Sequence, residues 1–96
     1  MTPVGVIMYT KDWCPFCVMA KRLLARKNVS LEERNVERDA ALLREMLERS
    51  GGRRTVPQIF VGDRYVGGYK ELAAMERSGA LDALLTGLVA ECGETS

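Results

Sequence analysis

Two thiols stand out as the side chains best placed to do chemistry in this 96-residue sequence. Cys14 and Cys17 lie three positions apart in Cys14-Pro15-Phe16-Cys17, a spacing that lets them close as a disulfide and open again. What they can do depends on the elements that hold them. Val4 to Tyr9 reads as a buried strand, because Val4, Val6, Ile7, Met8 and Tyr9 are apolar or β-branched. Thr10, Lys11 and Asp12 make a polar turn, and from Val18 onward the chain reads as a helix. Pro15 suits the first helical turn, where its missing N–H would have no partner in any case. Cys14 therefore falls where a strand hands over to a helix, and the free N–H groups and positive dipole end there favour an anion.

An unperturbed cysteine titrates near ~8.5, whereas cysteines in C-x-x-C helix N-termini fall to roughly 3.5–7.5. With Lys11 close in sequence, Cys14 is expected to be largely thiolate at neutral pH and to act as the attacking nucleophile. Cys17, one turn further in, is the resolving thiol.

Composition narrows the alternatives. Three cysteines are too few for a disulfide framework, and in a reducing compartment a close pair is catalytic or metal-binding more often than structural. The sequence contains no histidine, which removes Cys–His nucleophilic catalysis and any Cys/His zinc site. A four-ligand site would have only Cys92 to add, at the far end of the chain; Cys92 is read as incidental. A net charge of +1 implies neither a nucleic-acid-binding nor a strongly membrane-attracted surface. No apolar run approaches the ~20 residues of a transmembrane helix, and no basic region precedes the short apolar N-terminal stretch. The expectation is a soluble, monomeric, cytoplasmic protein that binds neither nucleic acid nor membrane.

The remaining elements follow from periodicity and punctuation. Cys17, Ala20 and Leu24 recur at helical spacing, with Leu23 beside them, in a helix running to about Asn28. Leu31 to Val36 alternates loosely and reads as a weaker strand at an edge. A second helix starts near Asp39, a good N-cap, with Leu42, Leu43, Met46 and Leu47 inward and Arg44, Glu45, Glu48 and Arg49 in water. Ser50-Gly51-Gly52 ends it. Gln58–Val61 and Arg64–Val66 read as a hairpin turning at Gly62-Asp63. After Gly67-Gly68 a third helix begins near Tyr69, and a short fourth carries Leu81, Leu84, Leu85 and Leu88. The fold class expected is α/β in one domain over residues 1–96, with a loose tail from 91. A parallel β-α-β unit joins a hairpin in a four-stranded mixed sheet with helices on both faces.

Three blocks in this order resemble a known family. Lys11 to Cys17, then Thr55-Val56-Pro57, then Gly67-Gly68 before a helix, are together similar to a dithiol glutaredoxin, and the resemblance spans nearly the whole chain. It implies a thioredoxin-like fold, a cis bond before Pro57, and glutathione-dependent thiol–disulfide exchange. Glutathione would be a co-substrate, with no tightly bound cofactor and no metal. Disulfide-containing or glutathionylated proteins would be the partners, and the role would lie in electron transport and cell redox homeostasis.

The resemblance also implies a glutathione site. Thr55, Val56 and Pro57 would offer backbone to a bound peptide, which would pair with Val56 like an added strand. Lys11 and Arg54 would meet the glycine carboxylate, with Arg53 as an adjacent alternative, and Phe16 would wall the sulfur. Gly68 would permit close approach, while the N–H groups of Tyr69 and Lys70 would hold the γ-glutamyl carboxylate. Family members often carry acidic residues after the Gly pair; here the run is Tyr69-Lys70-Glu71, and only Glu71 could meet the ammonium. Trp13 either caps the core or lines the partner surface. A runner-up reading is a thioredoxin-like reductant recharged by a flavoprotein reductase. An iron–sulfur cluster held with glutathione is a third reading, set against the stiffness of Pro15.

Overall fold

A computed structural model describes residues 5–86. Its elements, in chain order, are β1 (Val6–Thr10), α1 (Pro15–Ala25), β2 (Leu31–Asn35), α2 (Ala40–Ser50), β3 (Gln58–Val61), β4 (Arg64–Gly67), α3 (Tyr69–Ser78) and α4 (Ala80–Leu85). The strand order is β2-β1-β3-β4. β1 pairs parallel with β2, from Val6 opposite Leu31 to Thr10 opposite Asn35, and antiparallel with β3, from Val6 opposite Val61 to Tyr9 opposite Gln58. The β3–β4 hairpin turns at Gly62-Asp63 as expected, with a register shift between Ile59 and Phe60. The result is the open, four-stranded mixed sheet of the thioredoxin-like class. No helix among the described residues is long and apolar enough to cross a membrane.

The period-2 alternation of the strands sorts the core onto two faces. Val6 and Met8 of β1 face α1, α3 and α4, where they join Leu23, Leu24, Ile59, Leu72, Leu81 and Leu84 in one buried cluster. Tyr9 faces the other way, towards α2, and is buried with Met46 and Phe60. Tyr9 and Phe60 meet edge-to-face at 5.8 Å between ring centroids. β2 lies at a sheet edge, as its weak pattern predicts, with Glu32 and Glu33 exposed. Charge on an edge strand blunts further pairing.

Several boundaries differ from expectation. β1 runs to Thr10, and Val4 lies outside the described residues, as do Leu88, Cys92 and the tail. α1 stops at Ala25 because the chain turns at Arg26 to Asn28; Asn28 takes a left-handed φ of 54°, which its short amide side chain tolerates. In α2 only Met46 is fully buried, while Leu42, Leu43 and Leu47 are half-buried. Glu45 and Arg49, expected in water, instead turn back to the sheet. The Tyr9 hydroxyl donates to Glu45 Oε2, Arg34 Nη1 donates to the same oxygen, and Arg49 Nη1 donates to the Tyr9 hydroxyl at 3.3 Å. The Arg49 guanidinium also lies 4.0 Å from the Phe60 ring centroid. The ends of α2 match their sequence signals: Asp39 Oδ1 accepts from the Ala41 N–H at 2.9 Å, and Gly51 closes the helix at φ 72°.

Candidate active site

β1 ends at Thr10, whose hydroxyl donates to Glu33 Oε2 at 2.8 Å, and the next four residues, Lys11 to Cys14, carry the chain to α1. Trp13 sits in this turn with φ 57° and its side chain 98% exposed, so it does not cap the core. A bulky residue in left-handed backbone is uncommon and costs roughly 1–3 kcal/mol. Cys14 is the N-cap of α1, extended at φ −112° and ψ 102°, and its Sγ accepts from the Cys17 N–H at 3.3 Å. Pro15 begins the helix. A backbone N–H and the positive helix end therefore both act on the Cys14 sulfur.

Cys14 and Cys17 are reduced and both buried, Cys17 more deeply. Burial pushes the Cys17 thiol up to about 12, a side-chain hydrogen bond between the two thiols adds to the rise, and a hydrogen bond with the Lys11 backbone opposes it. Cys17 is thus a neutral thiol at neutral pH, held one helical turn from Cys14.

The Cys14–Cys17 turn separates two hollows. The first is a cleft of about 430 Å³ lined by Phe16, Arg53, Thr55 to Pro57 and Tyr65 to Glu71. The Val56–Pro57 bond is cis, as the resemblance implies. Phe16 stacks on Tyr69 at 6.2 Å and 28°, joining the first turn of α1 to the start of α3. Gly68 is the N-cap of α3, and its N–H donates to Glu71 Oε1 at 2.8 Å. The Tyr69 and Lys70 N–H groups belong to the first helical turn and have no intrahelical acceptor. Gly67 has φ 117°, and a Cβ there would come within 2.9 Å of Glu71 Oε1, so this position requires glycine.

The second hollow, of about 570 Å³, is lined by Lys11 to Cys14, Cys17, Val18, Lys21, Glu33, Asn35 and Arg38. Its charges are largely paired: Lys21 with Glu33 at 3.2 Å and Arg38 with Asp12 at 2.9 Å. The Thr10 hydroxyl is the main cause that lowers the Glu33 carboxyl below its ordinary value, and Lys21 adds to it.

Of the ten residues that the resemblance placed around glutathione, Phe16, Thr55, Val56, Pro57, Gly68, Tyr69, Lys70 and Glu71 line the first cleft. Lys11 lines the second hollow, and Arg54 is exposed and lines neither. The arginine in the cleft is Arg53. Its backbone carbonyl accepts from Gln58 Nε2 at 2.8 Å and from Ser50 Oγ at 3.2 Å, and its guanidinium lies 5.5 Å from the Tyr65 ring centroid. Nothing in the order Arg53-Arg54 distinguishes the two. Tyr65 and Val66 also enter the lining, and as plain strand residues they carried no signal of it.

A family model, Glutaredoxin, matches residues 6–66. The chain belongs to the glutaredoxin family. It is 48% identical over 81 residues to a glutaredoxin of Pseudomonas aeruginosa, covering 84% of this chain and 95% of that protein. It is equally identical to glutaredoxin 3 of Escherichia coli, over 84% of this chain and 96% of that one. Among solved structures, the glutaredoxin of Brucella melitensis superposes with a TM-score of 0.75 at 48% identity, covering 90% of this chain and 92% of that one. A buckwheat glutaredoxin–glutathione complex superposes at 0.74 with 25% identity, covering 92% and 78%. As a glutaredoxin the chain is a thiol–disulfide oxidoreductase, the chemistry for which the paired cysteines at the start of α1 are suited.

Proposed function

We propose that this glutaredoxin reduces glutathione mixed disulfides and protein disulfides at the expense of glutathione, with Cys14 as nucleophile and Cys17 as resolving thiol. The observation that carries the reading is the placement of Cys14 at the N-cap of α1, with the Cys17 N–H on its sulfur, in a turn whose Phe16 lines a cleft that ends at the start of α3. The buckwheat relative, in complex with glutathione, supports the choice of thiol. A cytoplasmic monomer is the form we propose for it.

In the one-thiol route, the Cys14 thiolate attacks the glutathione sulfur of a mixed disulfide. The Cys14–glutathione bond forms, and the other thiolate leaves and takes up a proton. A second glutathione thiolate then attacks the glutathione sulfur bound to Cys14, so that glutathione disulfide leaves and the Cys14 thiolate returns. In the two-thiol route, a protein disulfide is attacked by Cys14, Cys17 gives up its proton and attacks the Cys14 sulfur, and the protein leaves as a dithiol. Two glutathiones then reduce the Cys14–Cys17 disulfide. Glutathione would pair with the Val56 backbone, with Arg53, Arg54 or Lys11 on its glycine carboxylate and the α3 N-terminus on its γ-glutamyl end.

Turnover of a glutathione mixed disulfide, coupled to the NADPH-linked glutathione reductase, tests this. Wild type and Cys17→Ser are expected to turn over, and Cys14→Ser to be inactive. A wild type that ignores glutathione but accepts electrons from a thioredoxin reductase would move the protein to the runner-up reading.

A further inference from the structure

The cleft contains one acid and two cations. Arg53, Lys70 and Glu71 are its charged lining residues, and Glu71 is already engaged. Its Oε1 accepts the Gly68 N–H at 2.8 Å, and the carboxylate lies so close to Gly67 that a Cβ there would come within 2.9 Å of the same oxygen. It also sits in the first turn of α3, where a negative charge offsets the positive helix end. Lys70 occupies the same turn, is exposed, and forms no ion pair among the described residues. A carboxylate entering here meets an ammonium, unpartnered backbone N–H groups and a helix dipole, all of favourable sign. An ammonium entering here meets Lys70 and the same dipole with the wrong sign, and the one acid in the lining, the exposed Glu71, already commits its Oε1 to the Gly68 N–H and its charge to the helix end.

We propose that this end of the cleft recognises its thiol ligand through the α-carboxylate alone, so that a glutathione-like ligand lacking the α-ammonium is bound about as well as glutathione. The inference rests on the reading that glutathione occupies the cleft. It makes the substrate class broader than glutathione itself: peptidic thiols with a terminal carboxylate at the γ-glutamyl end, whether or not that end carries an amine.

Three unreactive ligands separate the two charges: S-methylglutathione, its desamino analogue (S-methyl glutaryl-cysteinylglycine) and its descarboxy analogue (S-methyl 4-aminobutyryl-cysteinylglycine). Titration calorimetry on the full chain should give the desamino ligand a Kd within about threefold of S-methylglutathione, and the descarboxy ligand a Kd more than about threefold weaker, of the order of tenfold for one lost charge-assisted contact. Lys70→Asp should invert the order, because the new acid favours the ammonium and repels the carboxylate. A desamino ligand weakened by more than about threefold, or a descarboxy ligand weakened by less, overturns the inference. Binding of none of the three overturns it together with the glutathione reading. Turnover of a glutathione mixed disulfide tells the two failures apart: if turnover stands and only the ligand order is wrong, the glutathione reading survives.

Discussion

Among the described residues, twelve side chains from β1, β3, β4, α1, α3 and α4 form a continuous buried apolar cluster on one face of the sheet; on the other, α2 covers a buried group of three. The second face compensates with polar contacts. Tyr9, Glu45, Arg34 and Arg49 form a chain of hydrogen bonds and ion pairs across it. The site is divided between these two regimes. α1, which carries Cys17 and is capped by Cys14, is fixed on the dry face through Ala20, Leu23 and Leu24. The part of the cleft formed by Arg53 and by Thr55 to Pro57 follows α2 and leans on polar clamps, Ser50 and Gln58 on the Arg53 carbonyl. Thiol geometry should therefore tolerate damage to the α2 face, whereas the cleft wall should respond to it.

The largest effect is expected on the dry face. Leu24 is fully buried, and Leu24→Ala should cost about 2–5 kcal/mol by urea denaturation. Leu43 on the α2 face is only half-buried, so Leu43→Ala should cost clearly less, about 1–2 kcal/mol. Equal losses at the two leucines would erase the contrast between the faces.

Tyr9→Phe probes the polar substitute for packing. Tyr9 is fully buried, and its hydroxyl donates to a carboxylate and accepts from Arg49, so its removal should cost about 1–2 kcal/mol at neutral pH. The pH dependence has a definite sign. The Tyr9 hydroxyl first, and Arg34 next, hold the Glu45 carboxyl below its ordinary value of 4.5. A carboxyl lowered in the folded state adds stability above its unfolded value and loses it as pH falls through the folded one. Wild type and Tyr9→Phe should thus differ fully at neutral pH and differ less in acid, below 4.5, where the Arg49 contact is what remains. A gap undiminished in strong acid would mean the hydroxyl acts through something other than the ionised Glu45.

The parts legible in advance were those signalled by local chemistry. Cys14 and Cys17 at a strand–helix junction, Asp39 as a cap, Gly51 as a stop, and the Gly62-Asp63 turn each act on their immediate neighbours, and each stands where its residue type requires. The contacts that could not be read join distant positions. Glu45 and Arg49 look like the wet side of α2 until the fold brings them to Tyr9, which is 36 positions from Glu45. The choice of Arg53 over Arg54 for the cleft belongs to the same class. It depends on how the chain enters β3, with the Arg53 carbonyl tied to Ser50 and Gln58, and two adjacent arginines carry no local trace of that path.

The smallest predicted effect separates global from local stability on the α2 face. Asp39 caps α2 through its bond to the Ala41 N–H, and Asp39→Ala should cost about 1 kcal/mol. Because α2 is held by one fully buried residue, by its cap and by the Tyr9 network, that loss should appear first as faster hydrogen exchange in the first turns of α2. Exchange in α1 around Cys17 should stay slow, since its anchors lie on the other face. If exchange in α1 rose in step with α2, the two faces would open as one unit, and packing alone would not account for how the thiols are held.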